Sequence, residues 1–153
     1  MTVRNKDDWN GCPIRYFSGL VGDPWSLLIL RDMMFNGARR YGEFQQSPER
    51  IATNILANRL KKLEEAGFIA RQTAGRHAIY VLTERGRSLL PVMLSIVAWG
   101  AENDSKTEVT EQFLAKYSAA PDAMAAEMID AILARDWELL PGTANKAQSG
   151  AVV

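Results

Sequence analysis

Residues 51–72, IATNILANRLKKLEEAGFIARQ, restrict the fold more than any other stretch of the chain. At helical spacing Leu56, Leu60 and Leu63 form one apolar line, and Gly67 stops the pattern before Ile69. Opposite that line fall Thr53, Asn54, Ala57, Asn58 and Lys61, with Arg59 and Lys62 on the flanks. A solvated helix face ordinarily carries glutamate and lysine. Here the N-terminal half shows short amides and a hydroxyl, while Glu64 and Glu65 appear only at the far end. Such a helix buries one side and offers the other to something that must come close and be hydrogen-bonded.

The surrounding pattern places this helix third in a series. Cys12-Pro13 opens a short apolar helix that Gly22 ends, and Asp23 caps a second helix with Pro24 at its first position. WSLLILRDMMF is apolar on most sides, so it belongs in the core, with the stripe Trp25, Leu28, Ile29 and Phe35 read as packing. A basic pair, Arg39-Arg40, precedes a helical turn at Tyr41–Gln46. After Gly67, segments 68–73 and 77–82 read as two strands around a tight turn at Ala74-Gly75. Thr83 caps a long helix that Pro91 bends or divides. Residues 107–119 and 121–139 are expected to be helical.

Three helices followed by a hairpin give a mainly α fold with a small β-hairpin wing, a winged helix-turn-helix. In that arrangement the third helix enters the DNA major groove, which is about 12 Å wide. Asparagine pairs with adenine, threonine touches the thymine methyl, and arginine pairs with guanine or phosphate. Thr53, Asn54 and Asn58 are therefore the candidate base readers, with Arg59 and Lys62 beside them. Arg39, Arg40, Arg76 and His77 stand where phosphates or a minor groove would pass. Two of these residues carry a second reading: Arg59 as a brace to an internal carboxylate, His77 as an ordinary surface residue. Net charge is zero, yet residues 1–103 hold 14 Lys/Arg against 10 Asp/Glu and residues 104–153 hold 4 against 8. That asymmetry favours a polyanion partner for the first two-thirds.

The stretches CPIRYFSGLVGDPWSLLILRDMMFNGARRYGEF, IATNILANRLKKLEEAGFIARQ and YVLTERGRSLLPVMLSIVAWG resemble the HxlR-type transcriptional regulators, relatives of the MarR group. The resemblance covers about residues 12–103 and includes the Cys-Pro start, the Trp25–Arg31 helix and the Leu-Thr-Glu-x-Gly start of the long helix. It implies a bacterial regulator that represses or activates, with repressor the preferred sign; the N-terminus MTVRNKDDWNG, without an apolar signal core, reads as cytoplasmic. The regulator would be a homodimer held by N- and C-terminal dimerisation helices and bound to inverted-repeat operators. It also implies that the cysteine of the Cys-Pro pair sometimes senses oxidants or electrophiles. Where the family often starts its recognition helix with serine, this chain has Ala52, with Thr53 or Ser47 the candidate replacements.

Four segments follow: a flexible arm at 1–11, the DNA-binding and dimerisation domain at 12–103, an acidic helical extension at 104–140 and a disordered tail at 141–153. The extension is expected to stay off DNA and to fold back on the long helix, so that truncation after Asn103 leaves recognition largely intact. Its Phe113, Tyr117, Met124, Met128 and Trp137 read as packing, or as the adaptable lining of a small-molecule effector site. Leu89, Leu90, Met93, Val97 and Trp99 supply the dimer surface of the long helix. Cys12 reads as a small buried hydrophobe or as a redox sensor favoured by a helix start and nearby Arg15. One cysteine and one histidine leave no metal cluster or catalytic triad, and no phosphate loop or dinucleotide fingerprint is present, so neither cofactor nor enzyme is implied. The remaining alternative is a winged-helix protein–protein module, against which the basic flanks argue. No apolar run approaches the ~20 residues needed to span a bilayer, and no membrane partner is expected.

Overall fold

A computed structural model describes residues 11–72 and 77–139, the side chains of 138 and 139 excepted. The expectations for residues 1–10, for the hairpin tip with Ala74, Gly75 and Arg76, and for the tail from 140 lie outside the described residues.

The described residues hold eight helices and a two-stranded sheet. Helix α1 (Pro13–Val21) begins at Cys12-Pro13 and ends where the Gly22 N–H bonds the Ser18 carbonyl. Helix α2 (Pro24–Phe35) is capped by Asp23, whose Oδ1 accepts from the Ser26 N–H at 2.9 Å. Gly37, at φ 72°, supplies the left-handed turn that releases the chain into α3 (Tyr41–Gln45). Helix α4 (Thr53–Glu65) stops at Gly67, at φ 79°. Strands β1 (Ile69–Arg71) and β2 (Tyr80–Leu82) pair antiparallel, Ile69 opposite Leu82. They are shorter than the sequence suggests, but Arg40 bridges Ile79 and the Arg39 carbonyl accepts from Tyr80 N–H at 2.8 Å. The wing is thus anchored to the segment before α3, a non-local pairing that periodicity does not reveal.

Thr83 Oγ1 accepts from the Gly86 N–H and starts α5 (Glu84–Arg87). Pro91 then lies in the first turn of α6 (Leu90–Asn103), so the long helix is divided rather than bent. Helices α7 (Glu111–Ala119) and α8 (Pro121–Leu139) follow. One core cluster unites these elements. Leu56, Leu60 and Leu63 of α4 are buried with Leu30 and Met33 of α2, Phe44 of α3, Ile69 and Leu82 of the sheet, and Leu90 and Leu94 of α6. Burial of each such leucine contributes roughly 1.5–3 kcal/mol.

Met124, Ala125 and Ile132 of α8 belong to this same cluster. Lys116 and Glu127 pair at 2.6 Å between α7 and α8, and Ser95 Oγ meets Tyr117 Oη at 3.1 Å between α6 and α7. Residues 104–139 therefore close over α6 and share the core of the helices that precede them. Trp137, expected to pack, keeps 42% of its surface exposed.

Candidate nucleic-acid interface

The leucine line of α4 faces inward, which leaves Thr53, Asn54, Ala57, Asn58, Lys61 and Lys62 exposed along the opposite face. No side chain caps its first turn: Ala52 cannot, and Ser47 is engaged elsewhere. The start of α4 is instead held from α3, where Tyr41 Oη donates to the Thr53 carbonyl at 2.8 Å. Amide groups left uncapped at a helix start, with the dipole behind them, favour phosphate.

The turn between α3 and α4 is fixed by a polar clamp. Arg31 of α2 donates from Nη1 and Nη2 to the two carboxylate oxygens of Glu49, at 2.6 and 2.8 Å, and from Nε to Asp32 at 2.9 Å. Its Nη2 also donates to Ser47 Oγ, which in turn donates to Glu49 at 2.6 Å. Hydrogen bonds from Arg31 and then Ser47 hold the Glu49 carboxyl down at about 2, and the bonds that Arg31 gives to Glu49 and then Asp32 push its guanidinium further up despite burial. Arg50 follows in a left-handed conformation, φ 51°, with its side chain exposed just ahead of α4. In the sequence Arg50 stands out only as one charge among others, and its place between a Ser-Pro turn and α4 is the one local signal for it.

The basic residues divide by environment. Arg40 is exposed at the start of α3, and His77 is exposed beside the wing. Arg39 is not a phosphate contact: only 1% of it is exposed, and its Nε pairs with Asp136 of α8. Its Nη1 donates to the carbonyls of Met33 and Ala38, at 2.7 and 2.8 Å, so the guanidinium closes the end of α2 from inside. The cause is tertiary, since the carboxylate that draws Arg39 inward lies 97 residues away. Arg59 is half-buried, with Nε 3.0 Å from Asp23 Oδ1 and Nη1 3.2 Å from Asn58 Oδ1. Burial works against the Asp23 charge, but Ser26 and Arg59 outweigh it and hold the carboxyl below its ordinary range. Arg59 thus braces α4 against the start of α2, the second of its two readings. Cys12 is half-buried at the start of α1.

Among the described residues no cluster of histidine, cysteine or carboxylate side chains could hold a metal ion, and no helix is long and apolar enough to cross a membrane. The exposed amide face, the basic flanks and the clamped turn suit a duplex.

Comparisons with known proteins agree with that geometry. A family model, HxlR-like helix-turn-helix, matches residues 20–108. The HTH-type transcriptional regulator YdeP of Bacillus subtilis is 30% identical over 110 residues, spanning 70% of this chain and 85% of its own. The crystal structure of PA1607 superposes with a TM-score of 0.59 at 37% identity, over 70% of this chain and 75% of that one. The redox regulator HypR in its reduced form gives a TM-score of 0.54 at 28% identity, over 60% of this chain and 93% of that one.

Proposed function

The chain belongs to the HxlR-like helix-turn-helix family of DNA-binding transcriptional regulators, and from that premise we propose that it acts as a cytoplasmic homodimer whose two α4 helices read an inverted-repeat operator. The observation that carries the reading is the exposed Thr53, Asn54 and Asn58 face of α4, set opposite three buried leucines. Asn54 and Asn58 lie one turn apart and read bases, while Arg40, Arg50, Lys62, Arg76 and His77 hold the backbone. One winged domain makes too few contacts for the ~10⁻⁸ M or tighter affinity of specific regulators. The dimer surface is supported by Val92, Ile96 and Trp99, which leave an apolar stripe exposed on α6, and by Ile14 on α1, 78% exposed. Leu90 and Met93, expected on that surface, are buried in the core instead. A gel shift with the duplex selected from a randomised library, at low and raised salt, tests the reading. Retarded complexes of one stoichiometry, two chains per duplex, are expected; no complex at either salt would refute it.

A second reading, favoured by the likeness to HypR, is that Cys12 senses oxidants or electrophiles. A lone cysteine limits the chemistry to a mixed disulfide with a small thiol, an adduct, or a Cys12–Cys12 bond across the dimer. Operator binding before and after quinone or peroxide treatment decides it. Loss of binding that Cys12→Ser abolishes supports sensing, and unchanged binding ends it.

A further inference from the structure

The acidic extension reaches the DNA-binding elements through one buried ion pair. Arg39 and Asp136 are 1% and 6% exposed. Four connections meet at Arg39. Its side chain closes the end of α2 on the Met33 and Ala38 carbonyls. Its N–H, with that of Arg40, donates to Glu43 and sets the start of α3. Its carbonyl accepts from Tyr80 of the wing. Its Nε meets Asp136 of α8. From α3 the path continues through Tyr41 Oη to the Thr53 carbonyl at the head of α4. Independently, a side chain at Gly37 would strike the Arg135 guanidinium, whose Cζ would lie 3.0 Å from a Cβ there, so α8 lies directly against the α2–α3 turn.

We propose that Asp136 is a positioning residue for DNA recognition: through Arg39 it fixes the angle of α3 and the wing relative to α4, although it touches no DNA. A guanidinium sealed from water needs a counter-charge. Within reach, that charge comes from the extension, while Asp32 and Glu43 are engaged by Arg31 and by the main-chain N–H groups of residues 39 and 40. Arg39 Nη2 is buried with no hydrogen-bond partner among the described residues, which leaves Asp136 the more necessary. Removal of the extension after Asn103 would therefore not leave recognition intact, contrary to what the sequence alone suggests. The proposal rests on α4 as the recognition helix, and titration of the unaltered chain tests that reading by itself.

Electrostatics and positioning predict opposite signs. Asp136→Asn removes a negative charge, which by long-range attraction alone raises affinity for a polyanion. Positioning predicts that affinity falls at least tenfold. The full-length chain is titrated against the duplex that it selects from a randomised library and against a random-sequence duplex, across a salt series, with folding followed by circular dichroism. Expected are a fold retained at the assay temperature, weaker binding to the selected duplex and a shallower salt slope, because the phosphate contacts of Arg40 and the wing move out of register. Asp136→Glu should recover part of the affinity. Where Asp136→Asn fails to fold, the double variant Arg39→Met with Asp136→Leu replaces the pair by apolar side chains and restores packing. It should still bind more weakly, since the clamps on Met33 and Ala38 are gone. Wild-type or raised affinity in a folded Asp136→Asn, or in the double variant, would overturn the proposal. Absence of binding by the unaltered chain would overturn the recognition reading and this proposal with it.

Discussion

Arginine side chains that look alike in the sequence do unlike work. Arg40 and Arg50 stand in solvent near α4, Arg39 is sealed in the core, and Arg59 leans on Asp23. Asn58→Ala should cost ~1–3 kcal/mol of operator affinity and relax preference at one base pair of each half-site, read by competition with single-substituted duplexes. Arg40→Ala should instead weaken all duplexes alike and flatten the salt dependence. The Glu49 clamp sets a pH response. In the fold its carboxyl titrates at about 2, against an ordinary 4.5. Its contribution is therefore complete above about pH 5 and fades as pH falls toward 2. Asp23, also held low, adds in the same direction. Urea denaturation from pH 6 to pH 3 should show falling stability, with a shallower fall in Glu49→Gln; equal slopes would contradict the clamp. The amide face of α4 was legible because helical spacing and side-chain chemistry are local. The burial of Arg39 was not, because nothing near it in the chain supplies its counter-charge.

Helix boundaries followed from caps for the same reason. Asp23 and Thr83 each accept a backbone N–H three residues on, an interaction written within four residues of sequence. Thr83→Ala should cost about 1 kcal/mol, measured as a shift of the urea midpoint without change of slope. Gly67 holds φ 79° between α4 and β1, so Gly67→Ala should destabilise by roughly 1–2 kcal/mol. Both strands are shorter than their expected spans, β2 at its start only, because regular pairing is confined to three residues each, although the Gln72 N–H still donates to the Ile79 carbonyl beyond them. The bridge of Arg40 to Ile79 was invisible because pairing across nearly 40 residues leaves no periodic trace. Ala52 offered a missing cap, and the structure supplies none: Tyr41 holds the start of α4 from a neighbouring helix.

At the scale of the molecule, the chain divides less cleanly than its charge does. The basic part and the acidic extension share one core, with Ile132 of α8 2% exposed beside the helices of the winged unit. Among the apolar side chains that stay uncovered, Val92, Ile96 and Trp99 form a stripe on α6, Trp99 being 67% exposed. Trp99→Glu should shift sedimentation toward a single chain and weaken operator binding by more than tenfold while the fold persists. A dimer unaffected by that change would move the interface elsewhere. The central claim is that paired α4 helices read an inverted repeat through their amide face. It is tested most directly by selecting duplexes from a randomised library with the full chain and with Asn58→Ala, and sequencing what each retains. An inverted repeat with half-sites about one helical turn apart is expected for the unaltered chain, with one position per half-site relaxed in the variant. No enriched sequence, or the same sequence retained unchanged by Asn58→Ala, would contradict it.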